Sequence, residues 1–388
     1  MEQAGLIASS VSLLFWVGVL VLRGGFWRAD QRLADPAPDL SPWPDVVCVI
    51  PARNESSTIG GTVTSLLDQD YPARVSVVVV DDNSDDGTAN VAKAAATERL
   101  TVVMGKPLAD GWSGKLWAVK QGLDAAEETA AAAAYVLLTD ADITHDAETL
   151  RRLVAKAEGE GLDMVSLMVL LRCESLWEKL LIPAFIFFFQ KLYPFPWVND
   201  PARKIAAAAG GCMLIRRSAL RHIGGVDAIR GRLIDDCALA AEIKKHGPIW
   251  LGLTSKVKSE RAYGALSEIW DMVARTAFEQ LGNSVLALIG TVAAMSIAYL
   301  VPPIAVAGLL GGGNFFGGGA GAALGALTWW GLMGIAVWPT LTLYGMSKAW
   351  SLTLPAAALL FTLMTVSSAV RFRRGRGGAW KGRHYKTA

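Results

Sequence analysis

Two acidic clusters follow directly on hydrophobic runs, and their residue types and positions suit them to chemistry. The run 75–80 leads into Asp81-Asp82, and the run 135–139 leads into Asp140-Ala141-Asp142. Uninterrupted apolar runs are typical of strands buried on both faces of a parallel sheet, and such sheets bind ligands beyond their carboxyl ends. We therefore expect both clusters in one crevice, held together by a cation or strong hydrogen-bond donors. A divalent metal carrying phosphates, with a ribose or base edge, would meet that need.

The elements that must position these residues alternate between strands and helices. Predicted strands cover residues 46–50, 100–104 and 162–171, and two more end at Asp81 and Asp140. Predicted helices cover residues 56–69, 88–96, 115–126 and 146–158. This alternation predicts an α/β domain with a parallel sheet and helices on both faces. A further helix is predicted over residues 234–245, with Asp235-Asp236 in its first turn.

Both ends of the 388-residue chain are too apolar for a purely soluble protein, and the mean hydropathy is +0.35. Residues 4–22 carry no charge and are long enough to cross a bilayer. Arg23, Arg28 and Arg32 follow this segment, whereas only Glu2 precedes it. The asymmetry predicts a retained anchor over residues 1–23, with the next domain in the cytoplasm, rather than a cleaved signal peptide. The proline-rich stretch 24–45 is then a linker.

The region 282–370 predicts C-terminal transmembrane helices, at about 285–310, 322–344 and 352–370. The tail 371–388 carries seven basic residues and should stay in the cytoplasm. Three passes would place it outside. Either the breaks at Pro302-Pro303 and at the glycine-rich stretch 311–325 divide the region into an even number of passes, or one stretch is re-entrant.

The aromatic segment 176–197 is apolar but interrupted by Pro183. The uninterrupted part is too short for a span, so we predict an amphipathic helix at the membrane interface. A buried core helix is the alternative. Phe185 and Phe188 are its residues expected on the acceptor or lipid side.

Four motifs in order along residues 46–281 resemble the inverting family 2 glycosyltransferases with a GT-A fold. They are Pro51-Ala52-Arg53-Asn54-Glu55, Asp81-Asp82, Asp140-Ala141-Asp142 and Asp235-Asp236. The resemblance implies a cytoplasmic nucleotide-diphospho-sugar transferase domain with a Rossmann-like mixed sheet. Further strings are similar to the hopanoid-biosynthesis-associated (hopene-associated) glycosyltransferases of bacteria, which implies a multi-pass protein of the inner membrane. These strings are 112–118 (WSGKLWA), 181–185 (LIPAF), 206–213 (AAAAGGCM), 233–240 (LIDDCALA) and 272–277 (MVARTA).

The resemblance also implies roles for individual residues on the donor side. Asp140 and Asp142 form an Asp-x-Asp motif that would bind Mg²⁺ or Mn²⁺ together with the diphosphate, although a helix cap is an alternative for Asp142. The remaining donor-binding residues would be Pro51, Ala52, Asn54, Glu55, Asp81, Asp82, Lys115, Ala141 and Arg275. Simple turn or capping roles remain open for Asp81, Asp82 and Glu55.

Asp236 matches the family's catalytic base, with Asp235 beside it where the family usually has Glu. Arg275 is the nearest equivalent of the arginine in a Gln-x-x-Arg-Trp motif, which this chain lacks; that argues against polymer synthesis. Lys115, after a glycine turn, is a second phosphate or acceptor candidate. Gly210 and Gly211 would let the backbone approach the sugar or acceptor closely.

The predicted reaction is transfer of a sugar from a nucleotide donor to a membrane lipid, with a hopanoid as one candidate. A polyisoprenyl-phosphate or polysaccharide glycosyltransferase is the first alternative. A transporter is disfavoured because the membrane segments lack ionisable residues. A dinucleotide oxidoreductase is disfavoured because no glycine-rich turn follows the first strand. The net charge of +2 indicates no nucleic acid, and nothing implies a protein partner.

Overall fold

A mixed eight-stranded sheet forms the centre of the protein. The computed structural model describes residues 2–95, 97–312, 317–375, 379–380 and 383–384. The sheet strands are β1 Val46–Ala52, β2 Val75–Asp81, β3 Leu100–Met104, β4 Tyr135–Leu138, β5 Ile143–His145, β6 Met164–Leu170, β7 Met213–Arg216 and β8 Ile249–Ser259. Their order is β3-β2-β1-β4-β7-β6-β8-β5. Two short strands, β9 Ala379–Trp380 and β10 Arg383–His384, pair separately.

The half of the sheet that carries the acidic motifs is parallel, as predicted. β1 pairs with both β2 and β4, and the β1–β2 register runs from Val46 opposite Val75 to Ala52 opposite Asp81. Every residue of these three strands is buried, which explains why they are apolar throughout rather than alternating. β4 ends two residues earlier than predicted, so Asp140 lies beyond the strand.

The other half departs from the parallel sheet that the alternation of elements predicts. β7 pairs antiparallel with β4 and β6, and β5 pairs antiparallel with β8. The parallel prediction is therefore wrong for β5 and β7, whereas the mixed sheet implied by the resemblance is confirmed. Short strands that pair across long stretches of chain leave little local signal.

Helices cover both faces of the sheet. In the domain they are α2 Ile59–Leu67, α3 Thr88–Lys93, α4 Gly114–Thr129, α5 Thr149–Gly159, α6 Leu176–Leu192, α7 Phe195–Val198, α8 Arg217–His222, α9 Asp235–Lys244 and α10 Leu266–Ala274, after α1 Glu2–Leu22. Val47 and Val49 pack with α4 and α9, whereas Val46 and Cys48 pack with α2 and α5. The predicted helix end at Ala96 lies outside the described residues.

Close packing between α4 and the sheet gives a stability prediction at Gly122. A Cβ atom there would overlap Cγ1 of Val49 and lie 3.0 Å from Cγ2 of Val80. Gly122→Ala should therefore lower the free energy of unfolding by about 1–3 kcal/mol despite the better helix propensity of alanine. Gly159→Ala, at the end of α5 with open space around it, is the matched control and should be neutral or stabilising. Thermal unfolding in detergent measures both; equal stability of the two variants would contradict the prediction.

The C-terminal helices are α11 Val285–Met295, α12 Val301–Leu310, α13 Gly318–Ala326, α14 Gly334–Leu343 and α15 Leu354–Arg373. Short π-helical turns at 296–300 and 327–333 join α11 to α12 and α13 to α14. Among the described residues, five helical segments are long and apolar enough to cross a membrane: Glu2–Leu22, Leu176–Val198, Val285–Leu310, Gly318–Leu343 and Lys348–Arg373. α1 packs on this bundle, where the Trp16 indole donates to the Ala298 carbonyl at 2.9 Å.

Two predicted breaks are wrong. Pro302-Pro303 does not interrupt the segment 285–310, because both prolines lie in the first turn of α12, where no intrahelical N–H is required. Pro183 lies inside α6, whose start is fixed by a capping box between Ser175 and Glu178. The length argument against a membrane span at 176–198 therefore fails, and its interfacial position stays a prediction. Of the basic tail, residues 376–378, 381–382 and 385–388 lie outside the described residues.

Candidate active site

The carboxyl ends of β1, β2 and β4 bring the predicted motifs to one edge of the sheet. The backbone N–H of Asp82 donates to the Ala52 carbonyl at 2.8 Å, joining the first two motifs directly. Asp140 follows β4, on the other side of β1. The predicted convergence of the acidic clusters at one sheet edge agrees with the strand order.

Lys115 links the Asp140 segment to the start of α9. Its Nζ lies 2.7 Å from Asp140 Oδ1 and 3.8 Å from Asp235 Oδ2. The lysine is held in the first turn of α4, which Ser113 caps by accepting the N–H of Leu116. Burial alone would lower the pKa of Lys115, but Asp140 and Asp235 raise it above its ordinary value. The ammonium is therefore a permanent positive charge between two carboxylates.

Asp236 is oriented by two backbone donors. Its Oδ2 accepts the N–H of Gly210 at 3.0 Å, and its Oδ1 accepts the N–H of Cys237 at 2.7 Å. Burial and the neighbouring Asp235 raise the pKa of Asp236 to about 6, against the opposing effect of Lys115. A carboxylate with this pKa is mostly ionised at neutral pH yet basic enough to accept a proton.

Arg261 links the loop after β1 to the turn after β4. Its Nε donates to Asp142 Oδ2 at 3.0 Å, and its Nη2 donates to Glu55 Oε1 at 2.7 Å. Ser259 Oγ donates to the same oxygen of Asp142 at 3.1 Å. Asp142 is thus an ion-pair partner in the site and does not cap a helix.

A hydroxyl network fixes the two sides of the site relative to each other. The Thr139 hydroxyl donates its single proton to the Gly211 carbonyl at 2.7 Å. The contact of 3.1 Å between Thr139 Oγ1 and His145 Nε2 must therefore be a hydrogen bond donated by the imidazole. Burial lowers the pKa of His145 to about 3, so the ring is neutral. Thr139 directly precedes Asp140, and Gly211 directly follows Gly210, whose N–H is accepted by Asp236. The network therefore connects the backbone beside Asp140 with the backbone beside Asp236.

An open cavity with about 320 Å³ of empty space lies between these groups. Pro51, Lys115, Thr139, Asp140, Gly210 and Asp235 line it together with apolar residues of α4, α9 and the sheet. The walls thus combine residues from β1, from the end of β4, from the loop that contains Gly210 and from α9.

Comparison with known proteins adds the family. Residues 47–224 match the family described as Glycosyl transferase family 2. This chain carries a family 2 glycosyltransferase domain. The predicted GT-A fold class is confirmed by the whole-chain similarity to a mannosyltransferase from Pyrobaculum calidifontis, solved in complex with GDP-Man and Mn²⁺. That similarity has a TM-score of 0.58 at 19% identity and covers 95% of this chain and 98% of the other.

Curated relatives match a shorter stretch of the chain. The 4,4'-diaponeurosporenoate glycosyltransferase of Staphylococcus aureus strain bovine RF122 / ET3-1 is 39% identical over 97 residues, or 25% of this chain. The same enzyme of strain MRSA252 is also 39% identical over 97 residues. The chain spans about a quarter of the length of these relatives (23%).

The loops after β1 and β2, which are predicted to bind the nucleotide, are interlocked. Asp81 Oδ1 accepts the N–H of Ser84 at 3.0 Å, and buried Asp82 lies 3.8 Å from Arg53. Asn54 has a positive φ of 52°, which asparagine tolerates, and its Oδ1 accepts the N–H of Asp85. Asp86 accepts the N–H groups of Ser56 and Thr88. Asp81 therefore has a turn contact, while its donor-binding role stays a prediction.

Several predicted residues lie to the side of the cavity. Ala141 is buried against the core, and a Cβ atom on Gly211 would meet Val169 at 3.0 Å rather than an open site. Burial raises the pKa of Tyr263, and the positive charges of Arg261 and Arg275 oppose this rise. Arg275, which directly follows α10, therefore lies near Tyr263.

The two phenylalanines predicted on the lipid side face neighbouring helices. The Phe185 ring stacks on the Phe361 ring with centroids 6.4 Å apart, and Phe188 packs edge-on against Phe361 and Tyr299. Both are half-buried within the helical bundle. Any acceptor contact from these rings would require the bundle to contribute to the acceptor path.

The residues present suit a divalent cation, although the described residues contain no group of three or more His, Cys, Asp or Glu side chains arranged as a complete metal site. Lys115 pairs with Asp140 and Asp235, and Arg261 pairs with Glu55 and Asp142, so each of these two cations faces two carboxylates. Burial and Asp142 raise the pKa of Asp140, which Lys115 only partly offsets. The excess of carboxylate oxygen would attract a hard cation whose shell is completed by phosphate and water.

Sequence reasoning missed Arg261 and Ser259. Both lie at the end of β8, after the apolar run 249–253. The rule that ligands gather at strand ends could have found them if β8 had been recognised as a sheet strand.

Proposed function

We propose that the protein is an inverting glycosyltransferase that moves a sugar from a nucleoside-diphosphate donor to a hydroxyl of a membrane lipid. The observation that carries the proposal is the placement of Asp236. Its carboxylate is held by Gly210 and Cys237, and Gly210 lines the same cavity as Asp140 and Lys115. A proton acceptor thus lies beside the cavity in which the diphosphate would lie.

The proposed reaction is a single displacement. The acceptor oxygen attacks the anomeric carbon, its proton passes to Asp236, and the bond between that carbon and the diphosphate oxygen breaks as the nucleoside diphosphate leaves. Inversion follows because attack and departure occur on opposite faces of the sugar. The N–H groups of Gly210 and Cys237 keep both oxygens of Asp236 in place, and Asp235 and Lys115 tune its charge.

Asp140 and Asp142 would hold the divalent cation, Mg²⁺ or Mn²⁺. When bound, it would supply Lewis-acid stabilisation of the negative charge that develops on the leaving diphosphate. The Mn²⁺ of the similar mannosyltransferase structure supports a cation in this position. Glu55, Asp81 and Asp82 would contact the nucleoside.

A lipid acceptor is supported by the apolar helices that pack against the glycosyltransferase domain. α6 packs against α14 and α15 of the apolar bundle on one side, and Tyr193 at its end hydrogen-bonds Gln280 at 2.6 Å. The relatives named for diaponeurosporenoate support a carotenoid-type lipid, and the strings 112–118 and 233–240 favour a hopanoid. The active site would face the cytoplasm of a bacterial inner membrane, as the arginines after α1 suggest.

Donor turnover by the purified protein tests this function. Full-length protein in detergent is incubated with UDP-, GDP- and dTDP-sugars, with Mn²⁺ or EDTA and with or without a membrane lipid extract. We expect one donor to release nucleoside diphosphate in a manner that requires both the cation and the lipid. A hopanoid and a carotenoid acid are then supplied singly.

Two results would contradict the proposal at different points. If the release of nucleoside diphosphate did not depend on the lipid extract, the lipid acceptor would be rejected but the transferase activity would not. Failure of folded protein to release diphosphate from every donor, with the extract present, would reject the transferase itself. Protein carrying Asp236→Asn, purified in parallel, controls for contaminating activity.

A further inference from the structure

We infer that Arg261 is a donor-binding residue that contacts the diphosphate of the nucleotide sugar. The inference rests on the proposed function and assigns a further residue to it. The guanidinium forks between Glu55, in the loop after β1, and Asp142, in the turn after β4. It therefore lies between the predicted nucleoside-binding loop and the predicted cation-binding turn. In a nucleotide sugar, the diphosphate is the group that connects those two places.

The guanidinium has donors left for a ligand. Arginine carries five N–H bonds, of which one on Nε and one on Nη2 are used by Asp142 and Glu55. Within the described part of the chain, these contacts use Nε and Nη2 and leave Nη1 without a hydrogen bond or ion pair. The side chain is 39% exposed, whereas its partners are 12% and 10% exposed. The side chain is thus more open to a ligand than its two partners, and a planar fork of this kind matches phosphate oxygens.

Charge balance explains why the site requires this arginine. Glu55 and Asp142 would repel an incoming diphosphate, and Arg261 offsets only one of their two charges. The guanidinium stays charged, because arginine is not deprotonated in proteins. A divalent cation beside Asp142 and the guanidinium beside Glu55 would together balance the two carboxylates and leave positive charge for the phosphates.

Ser259 fixes the direction of the arginine rather than adding a further contact. Its hydroxyl donates to Asp142 Oδ2 and accepts the backbone N–H of Arg261 at 3.3 Å. The side chain of Arg261 therefore extends from a backbone held at the end of β8. Such a brace lowers the entropy lost when a phosphate is bound.

The experiment compares nucleosides with nucleoside diphosphates. Full-length wild type, Arg261→Ala, Arg261→Lys and Arg221→Ala are titrated in detergent with UDP, GDP, uridine and guanosine at fixed Mn²⁺. Arg221 is the matched control, because it is an exposed arginine that binds Glu127 through two nitrogens away from the cavity. We expect Arg261→Ala to weaken diphosphate binding about tenfold to a hundredfold and nucleoside binding less than about threefold.

The conservative variant separates charge from bracing. Arg261→Lys cannot bridge Glu55 and Asp142. Because it keeps the positive charge, it should nevertheless recover most of the diphosphate affinity. If Arg261→Ala lost nucleoside and diphosphate affinity equally, the residue would be a brace and the inference would be wrong. Unchanged diphosphate affinity would also overturn it. Folded wild type that bound no nucleoside diphosphate would reject the proposed function together with this inference.

Discussion

Asp236→Asn should reduce the rate of sugar transfer by about a hundredfold to ten-thousandfold, the range that a general base contributes. Asparagine is nearly the same size but cannot accept the proton of the attacking hydroxyl. Asp236 already accepts the N–H groups of Gly210 and Cys237 and is not assigned a contact with the donor diphosphate, so the affinity for the diphosphate should change less than about threefold. Single-turnover transfer and nucleoside-diphosphate titration measure the two effects separately.

Asp235→Asn is the matched control for this prediction. Asp235 pairs with Lys115 at 3.8 Å, whereas Asp236 accepts two backbone N–H groups. We expect the Asp235 variant to lose rate much less than the Asp236 variant. The reverse order would move the base to Asp235, and normal turnover by Asp236→Asn would remove the base assignment altogether.

The pH dependence of the wild type follows from the same carboxylate. Since the ionised form accepts the proton, the transfer rate should rise with pH through about 6, the pKa to which burial and Asp235 raise Asp236. Asp236→Asn should lack this limb. The raised pKa has the opposite effect on stability: the folded protein holds the proton more tightly than the unfolded chain, so stability from this group is lost as pH rises from about 4 to about 6.

The parallel half of the sheet could be predicted from sequence because its signal is local. β2 and β3 were predicted with their observed ends, and the residues after β1, β2 and β4 were expected at one edge. Strands buried on both faces must be apolar throughout, so they stand out from the helices between them. Polar residues that interrupt such runs at their ends then mark the site.

The antiparallel half could not be predicted in the same way. β5 and β7 have three and four residues, and the residues they pair with lie between 47 (Ser166 with Met213) and 116 (Ile143 with Ser259) positions away in the chain. Arg261 was missed for that reason, since its position depends on the pairing of β5 with β8. Pro183 misled the prediction of α6 because helix-breaking tendency is a local preference, which capping and packing against the bundle overcome.

Asp140→Ala should weaken Mn²⁺-dependent binding of nucleoside diphosphate by about tenfold to a hundredfold, the loss expected for a charged ligand contact. The observation behind this prediction is the excess of carboxylates in the site, which a divalent cation would balance. The variant should also require a higher Mn²⁺ concentration for half-maximal binding. Titration of the cation at fixed nucleoside diphosphate measures this shift, and an unchanged titration would argue against the metal role.

The contact between Asp140 and Lys115 at 2.7 Å requires one more variant. Removing Asp140 also frees an ammonium that could bind phosphate, so the single variant mixes two effects. In a double-mutant cycle with Lys115→Ala, residues in contact should give non-additive losses. If Asp140 acts through the cation, its loss in the Lys115→Ala background persists and still depends on Mn²⁺. If it only neutralises Lys115, Asp140→Ala should not weaken binding when Lys115 is present and should have no effect in the Lys115→Ala background, and Asp142 alone would be left to hold the metal.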